Sequence, residues 1–346
     1  MSKRALFLAL LSFVLFTSCV HRITDEYENP ADVSSGAVKP PIPAENKPDA
    51  LLQQQIQEVV ANANSHVGVG AVLLETGDSV FIDPDGHFPS QSVYKLPIAM
   101  TVLKRVDANQ LHIDQEIVVD KSDFVRWGFH SPIRNLNPQG TVLPLGELIR
   151  ASISESDGTA SDVLLELAGG PTAVQSYLSE IGIKDFIVAD SEKEISKDWE
   201  TQYRNWATPR ASIALLREVE FGNSLSEPTR RLLLECLTDS NTGRRRIRAG
   251  LPSGTPFAHK TGTGGTKDGV TGATNDIGII TTPDGKHIAI AVYIADSTDD
   301  GWTREQLMAD IAKIVWYRWV GGETDPYTQI REKNRTRADQ KKEKSS

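Results

Sequence analysis

Ser92 and Lys95 stand three residues apart in the stretch Phe88-Pro-Ser-Gln-Ser-Val-Tyr-Lys-Leu-Pro-Ile-Ala-Met100, where the pattern predicts the start of a helix. On a helix, residues i and i+3 share a face, so the Lys95 amine can reach the Ser92 hydroxyl. A serine hydroxyl at its free pKa is too weak a nucleophile to open an acyl bond, and a neighbouring base activates it. Amides at the helix start would stabilise the oxyanion that such an attack creates. Alone the pair is ordinary. Ser-x-x-Lys arises by chance about once in a chain of this length, and an N-capping serine followed by a solvated lysine accounts for it as well.

Three more short patterns follow in order. Glu155-Ser-Asp-Gly158 opens a predicted helix, Glu192-Lys-Glu-Ile-Ser196 falls in a long polar loop, and Lys260-Thr-Gly-Thr-Gly264 lies on a predicted strand. Each has a bland reading: helix capping for Ser156 and Asp157, an exposed loop carboxylate for Glu192, a strand ending in a glycine turn for Lys260. Joined to Ser92 and Lys95, the set supplies a nucleophile, a base, a second hydroxyl, a carboxylate able to activate water and a further cation. Those are the parts of a serine acyl-transfer site. The seven histidines are scattered without ligand spacing, so neither a metal site nor a cofactor is expected.

These residues need a scaffold drawn from both ends of the chain. A helix is predicted over 50–62, capped by Asp49, with Leu51, Leu52, Ile56, Val59 and Val60 on its apolar face. Segments 67–74 and 79–82 flank a hairpin turn at Glu75-Thr-Gly-Asp78. The middle reads as helices over 143–154, 159–167, 171–181, 209–221 and 228–237, interrupted by irregular stretches at 120–141 and 185–207. Strands follow at 256–263, 275–282 and 287–295, then a helix over 302–320. Strands near both ends and a helical middle predict an α+β fold of two lobes. An antiparallel sheet flanked by terminal helices (49–87 and 247–322) would pack on an all-helical lobe (88–246), with a site in the cleft between them. The charged tail 323–346 lacks an apolar period and is expected to be disordered.

The chain has 346 residues, 39% of them hydrophobic, enough for a sizeable core, and a net charge of −9 that gives no reason to expect nucleic-acid binding. Lys3 and Arg4 precede an apolar run from Ala5 to Phe16, which predicts an export signal over 1–18. Leu15-Phe-Thr-Ser-Cys19 resembles the lipobox of bacterial lipoproteins, which implies lipidation of Cys19, a Pro-rich tether over 19–48, and a membrane-anchored, periplasmic, monomeric protein. Cys236 is then the only other cysteine, and its setting among leucines points to an inert, buried thiol.

From residue 50 to 320 the four motifs resemble the class A serine β-lactamases, whose signature is Ser-x-x-Lys, Ser-Asp-Asn and Lys-Thr-Gly. Gln91-Ser-Val-Tyr-Lys-Leu96 and Gln202-Tyr-Arg-Asn-Trp206 look most like the branch that contains extended-spectrum cephalosporinases. The resemblance implies that Ser92 attacks a β-lactam carbonyl, that Lys95 takes its proton directly or through a relay, and that Ser156 passes a proton to the lactam nitrogen. It implies that Lys260 and Thr261, helped by Arg246, hold the substrate carboxylate, that the Ser92 and Thr263 amides form the oxyanion hole, and that Glu192 activates the deacylating water. His130 matches a rim position that stacks on substrate or is simply solvated. The same acylation apparatus serves D,D-peptidases, and a non-hydrolytic β-lactam sensor would also use it; Glu192 and the lack of a spanning segment after the signal argue against these two in turn.

This sequence departs from the family pattern at three places. Gly158 replaces the usual Asn. Ser196 stands where an Asn usually helps hold the hydrolytic water, and its hydroxyl is expected to substitute. Asp190 and Asn205 occupy the places of an Arg–Asp ion pair that usually closes the loop, so the pair is expected to be absent and the loop to take another conformation.

Overall fold

A computed structural model of the protein describes residues 46–345; the expected export signal, Cys19 and most of the expected tether lie outside the described residues. The chain enters through a short strand, β1 (Lys47–Pro48), and a helix, α1 (Ala50–Val60). Asp49 caps α1 by accepting the Leu52 amide, and Leu52, Ile56 and Val59, spaced i, i+4 and i+7, are its buried stripe. The hairpin β2 (His66–Leu73) and β3 (Asp78–Ile82) follows, then β4 (Phe88–Pro89), a 3₁₀ turn Gln91–Tyr94, and α2 (Lys95–Asp107). The stretch 120–141 is irregular except for α3 (Pro132–Leu136) and is clasped at its base by β5 (Glu116–Val119) and β6 (Thr141–Pro144).

Next come α4 (Leu145–Ile153), α5 (Gly158–Ala168) and α6 (Gly170–Glu180). The segment read from sequence as one long loop contains β7 (Phe186–Ile187), α7 (Glu192–Ile195), a 3₁₀ turn Glu200–Tyr203 and β8 (Trp206–Ala207). β8 sits between β4 and β7, so the two ends of this loop are paired to each other and the second of them to the strand that leads into Ser92. α8 (Pro209–Phe221), α9 (Glu227–Thr238) and a 3₁₀ turn Ile247–Gly250 lead to β9 (Phe257–Thr263), β10 (Thr266–Lys267), β11 (Val270–Thr281), β12 (His287–Ser297) and α10 (Gly301–Trp319).

The main sheet runs β1-β3-β2-β12-β11, with β9 and β10 both paired to the outer side of β11. It is antiparallel as expected, except for the two-residue β1, which pairs parallel with β3. Its composition explains how it is covered on both faces. Along β12, Ile288, Ile290, Val292 and Ile294 point into the core shared with α1 and α10, whereas Ala289, Ala291, Tyr293 and Ala295 face the helical lobe. Each buried isoleucine contributes about 1.5–3 kcal/mol. The small residues opposite let α8 lie close: a Cβ at Gly68, which pairs with Tyr293, would meet Phe88 and Pro209 within 3 Å.

The expected two-lobed α+β architecture therefore holds. The tail does not follow expectation: it forms a helix, α11 (Pro326–Ser345), rather than a disordered segment. Two apolar residues three apart, Tyr327 and Ile330, anchor its first turn on the α1–α10 core, and the Tyr327 hydroxyl donates to Glu58. An apolar period too short to register in the sequence is enough when a preformed surface receives it.

Candidate active site

Ser92 lies in the 3₁₀ turn that feeds α2, and the turn is held by strain and close contact. Gln91 adopts φ +48°, a conformation that costs a non-glycine residue of order 1–3 kcal/mol. Its side-chain amide donates to Gln202 at 3.0 Å, tying the turn to the loop. Gly262 of β9 packs so close that a Cβ there would stand 2.5 Å from the Ser90 carbonyl oxygen, which explains why the Lys-Thr-Gly run ends in glycine. Asn275 completes the clasp by donating to the Pro89 and Ser90 carbonyls.

α2 carries Lys95 into the cleft floor, where its side chain is 1% exposed. The expected Lys95–Ser92 contact is not the one formed. Lys95 Nζ lies 2.8 Å from Glu192 Oε1 and donates to the Ser156 carbonyl oxygen at 2.8 Å. The Ser92 hydroxyl has no hydrogen-bond partner among the described residues, and it faces the same cleft as Lys95. Burial is the largest single influence and would raise the Glu192 pKa, but the charge and hydrogen bond of Lys95, with Tyr94 and Lys260, together hold the carboxyl below its ordinary value. Glu192 is thus an ionised base at neutral pH.

Ser156 sits immediately before α5 with φ +62°, and Asp157, the N-cap of that helix, accepts the Ala160 amide. Asp157 also receives the Ser131 hydroxyl and the Ile133 amide, which fixes the rim segment to the helix start. Lys260 Nζ donates to Ser156 Oγ at 2.9 Å, so the second and fourth motifs meet across the cleft. Thr261 Oγ1 lies 2.7 Å from Thr242 Oγ1, a cleft residue that the sequence reading did not single out. His130 lines the cleft as an exposed residue, and its Nε2 lies 2.9 Å from the Glu155 carbonyl oxygen.

Several expectations change. Arg246 is buried and already committed: it donates to the Gly262 and Asn275 carbonyls and to Thr263 Oγ1, and its Nε lies 3.4 Å from Glu305. It therefore braces the end of β9 and orients Thr263, and it also lines the cleft. Ser196 is not among the residues lining the cleft; its hydroxyl donates to the Lys193 carbonyl three residues back, so it does not replace the missing water-holding Asn. An ion pair does close the loop: Arg204 Nε lies 3.1 Å from Asp190 Oδ2. Asn205 locks the same corner, accepting the Ala189 and Asp190 amides and donating to the Asp190 carbonyl.

Asp162, on α5 one turn beyond Gly158, was also not singled out. Its two carboxylate oxygens accept the Glu192 and Lys193 amides at 2.7 and 3.0 Å, which makes it the peg on which α7 hangs. Burial, and then the nearby Glu192 charge, push its pKa up to about 7. The only sequence signal was its i+4 spacing from Gly158. At Gly158 itself an added Cβ would stand 3.1 Å from the His130 carbonyl oxygen and 3.4 Å from Glu192 Cγ. Cys236 is buried in α9 and its pKa rises to about 12, as its apolar setting implied.

Ser92, Lys95, His130, Ser156, Glu192, Arg246, Thr261 and Thr263 thus line one cleft of about 500 Å³. No group of His, Cys, Asp and Glu among the described residues has the geometry to hold a metal ion.

Residues 51–319 match a family described as the β-lactamase enzyme family. The chain is 37% identical over 269 residues to β-lactamase VEB-1 of Pseudomonas aeruginosa, covering 77% of this chain and 89% of that protein. It is 35% identical over 266 residues to the extended-spectrum β-lactamase PER-1 of the same organism, covering 77% and 86%. The crystal structure of a β-lactamase from Chitinophaga pinensis DSM 2588 superposes with a TM-score of 0.76 at 38% identity, covering 78% of this chain and 99% of the other.

Proposed function

Because this chain belongs to the class A serine β-lactamases, hydrolases of β-lactams, we propose that it works through an acyl-enzyme on Ser92 that Glu192 releases. Lys95 first passes its own proton to Glu192, 2.8 Å away, and the neutral amine then accepts the Ser92 proton, directly or through a relay, as Ser92 attacks the lactam carbonyl. The Glu192 proton returns to Lys95 once Lys95 has reprotonated Ser156, which leaves Glu192 ionised for deacylation. The amides of Ser92 and Thr263 receive the oxyanion, each such donor being worth about 3–4 kcal/mol in comparable sites. Ser156, held by Lys260, hands a proton to the departing lactam nitrogen. Lys260 and Thr261, with Thr242 beside it, receive the substrate carboxylate, and Arg246 contributes by positioning Thr263. Glu192 then takes a proton from water as the water attacks the Ser92 ester, a step that penicillin-binding proteins lack.

The observation that carries this reading is an ionised Glu192 inside the cleft, 2.8 Å from Lys95 Nζ. One similar protein is described as extended-spectrum, which supports a substrate range that includes cephalosporins. We further propose export, lipidation at Cys19 and a periplasmic location, supported by Lys3, Arg4 and the apolar run before Cys19.

Steady-state kinetics on nitrocefin and on one penicillin, one cephalosporin and one carbapenem test the proposal. Multiple turnovers with transient acylation of Ser92 are expected. A persistent Ser92 adduct without turnover would instead place the chain with the D,D-peptidases or sensors, and no acylation at all would remove Ser92 as nucleophile.

A further inference from the structure

Arg134, on α3, is a buried cation, 5% exposed, whose guanidinium spends every donor on a neutral oxygen. Its Nη1 donates to the Val125 and Arg126 carbonyls at 2.8 and 2.7 Å, and its Nη2 to the Phe129 carbonyl at 2.9 Å. Nε and Nη2 also donate to Asn135 Oδ1, at 3.1 and 2.8 Å. The five N–H groups are thereby all used, and none goes to a carboxylate. Three of the acceptors lie in one short stretch, 125–129, so the backbone is wound into an arch with carbonyls turned in on the cation. Gly128, at φ +96°, supplies the left-handed turn that the arch requires. The Trp127 ring centroid lies 4.5 Å from the guanidinium carbon, which accounts for an indole left 76% exposed: it covers the open side of the cation.

This arch is one rim of the cleft, where Gly128, Phe129 and His130 are lining residues. Its ends are pinned on α5. The Val125 amide donates to Thr159 Oγ1 at 3.2 Å, and the Gly158 amide donates to the His130 carbonyl at 2.9 Å. Between the pins the arch has one bond of its own, from the Phe129 amide to the Arg126 carbonyl at 3.2 Å. Among the described residues, the other three hydrogen bonds that its carbonyls accept come from Arg134. A planar fork of five donors can span such a set; the three donors of an ammonium, gathered at one point, cannot. Burying a cation is costly even when its donors are met, and what that cost maintains here is the shape of the rim.

We propose that Arg134 is a positioning residue for substrate binding: it holds residues 125–129 in one shape before substrate arrives, so that Gly128, Phe129 and His130 form a preorganised wall of the cleft. The proposal rests on the acyl-enzyme reading of that cleft. Arg134 makes no hydrogen bond to Ser92, Lys95, Ser156 or Glu192, so its loss bears on binding and leaves the reacting groups in place. Without it, each binding event must order a loosened rim, and that ordering is subtracted from affinity.

The test is steady-state hydrolysis of nitrocefin by the wild type, Arg134→Ala, Arg134→Lys and Asn135→Ala, with rates referred to the fraction of protein that acylates. Arg134→Ala is expected to raise KM roughly tenfold, the cost of ordering about one freed residue, while kcat changes far less. Arg134→Lys keeps the charge but not the fork, so its KM is expected to rise as well. Asn135→Ala removes only the exposed acceptor that orients Nε and Nη2, and a smaller rise is expected. Millimolar guanidinium chloride should bring the KM of Arg134→Ala back toward the wild-type value, because the ion can refill the space and bond the same carbonyls. A KM that stays at the wild-type value in folded Arg134→Ala, or that rises there without recovering in guanidinium, would make Arg134 merely structural and overturn the inference while leaving the acyl-enzyme reading intact. Should Arg134→Ala not fold, Asn135→Ala decides, and an unchanged KM in that variant overturns the inference. A wild type that never acylates at Ser92 would overturn both.

Discussion

Replacing Glu192 separates the two halves of the reaction. The carboxylate does two things at once: it is the proposed base for water, and it is the charge partner of Lys95, whose side chain is 1% exposed against 12% for Glu192. Glu192→Ala removes both. It leaves a buried ammonium with the Ser156 carbonyl as its remaining acceptor, and breaking a buried pair in this way costs about 3–5 kcal/mol. At about 2–4 °C per kcal/mol for a domain of this size, Tm should fall by roughly 6–20 °C. Glu192→Gln keeps an oxygen for Lys95 while removing the base, so its Tm should fall by less. Deacylation should slow in both variants by the worth of a general base, about 10²–10⁴-fold, or about 2.7–5.5 kcal/mol of barrier. Intact-protein mass spectrometry after mixing with a β-lactam should show an adduct equal to the whole ligand mass, because ring opening expels nothing, and the mass should persist after the wild type has returned to the free enzyme. Wild-type turnover by Glu192→Gln, with no lasting adduct, would refute the argument that Glu192 releases the ester.

Gly158→Asn should destabilise the fold by about 1–3 kcal/mol, because the added Cβ meets a backbone oxygen at 3.1 Å that cannot easily give way; thermal unfolding measures it, and a Tm at or above the wild-type value would contradict the crowding. Asp162 carries a folded-state pKa raised from 3.8 to about 7. A raised carboxyl pKa means that the folded state holds the proton more tightly, so the group's contribution is full below pH 3.8 and is lost as pH rises through 7. The Tm advantage of the wild type over Asp162→Asn should therefore be larger at pH 5 than at pH 8; an advantage that is constant or grows with pH would refute it.

Much of this protein was legible in its sequence because the signals are local. Apolar residues at helical spacing after Asp49, the alternating β12 run, and the cap at Asp157 specify their elements within a few residues, and the order of those elements leaves little choice but two lobes with a cleft. The four motifs likewise named the chemical groups, and the fold brings Ser92, Lys95, Ser156 and Glu192 to one cleft, with the buried Lys260 donating to Ser156. What tertiary structure alone decided is which partner each group takes. Lys95 could serve Ser92 three residues away, yet its ammonium is drawn to a carboxylate 97 residues further on, because in a buried site an ion pair outweighs proximity in sequence. Packing surrounds Arg246 with bonds to Gly262, Asn275 and Thr263, and Arg204 pairs with Asp190 while Asn205 bonds the Asp190 backbone. Sequence fixes which atoms are available; desolvation, which exists only once the chain has closed around them, fixes which of their possible bonds are made.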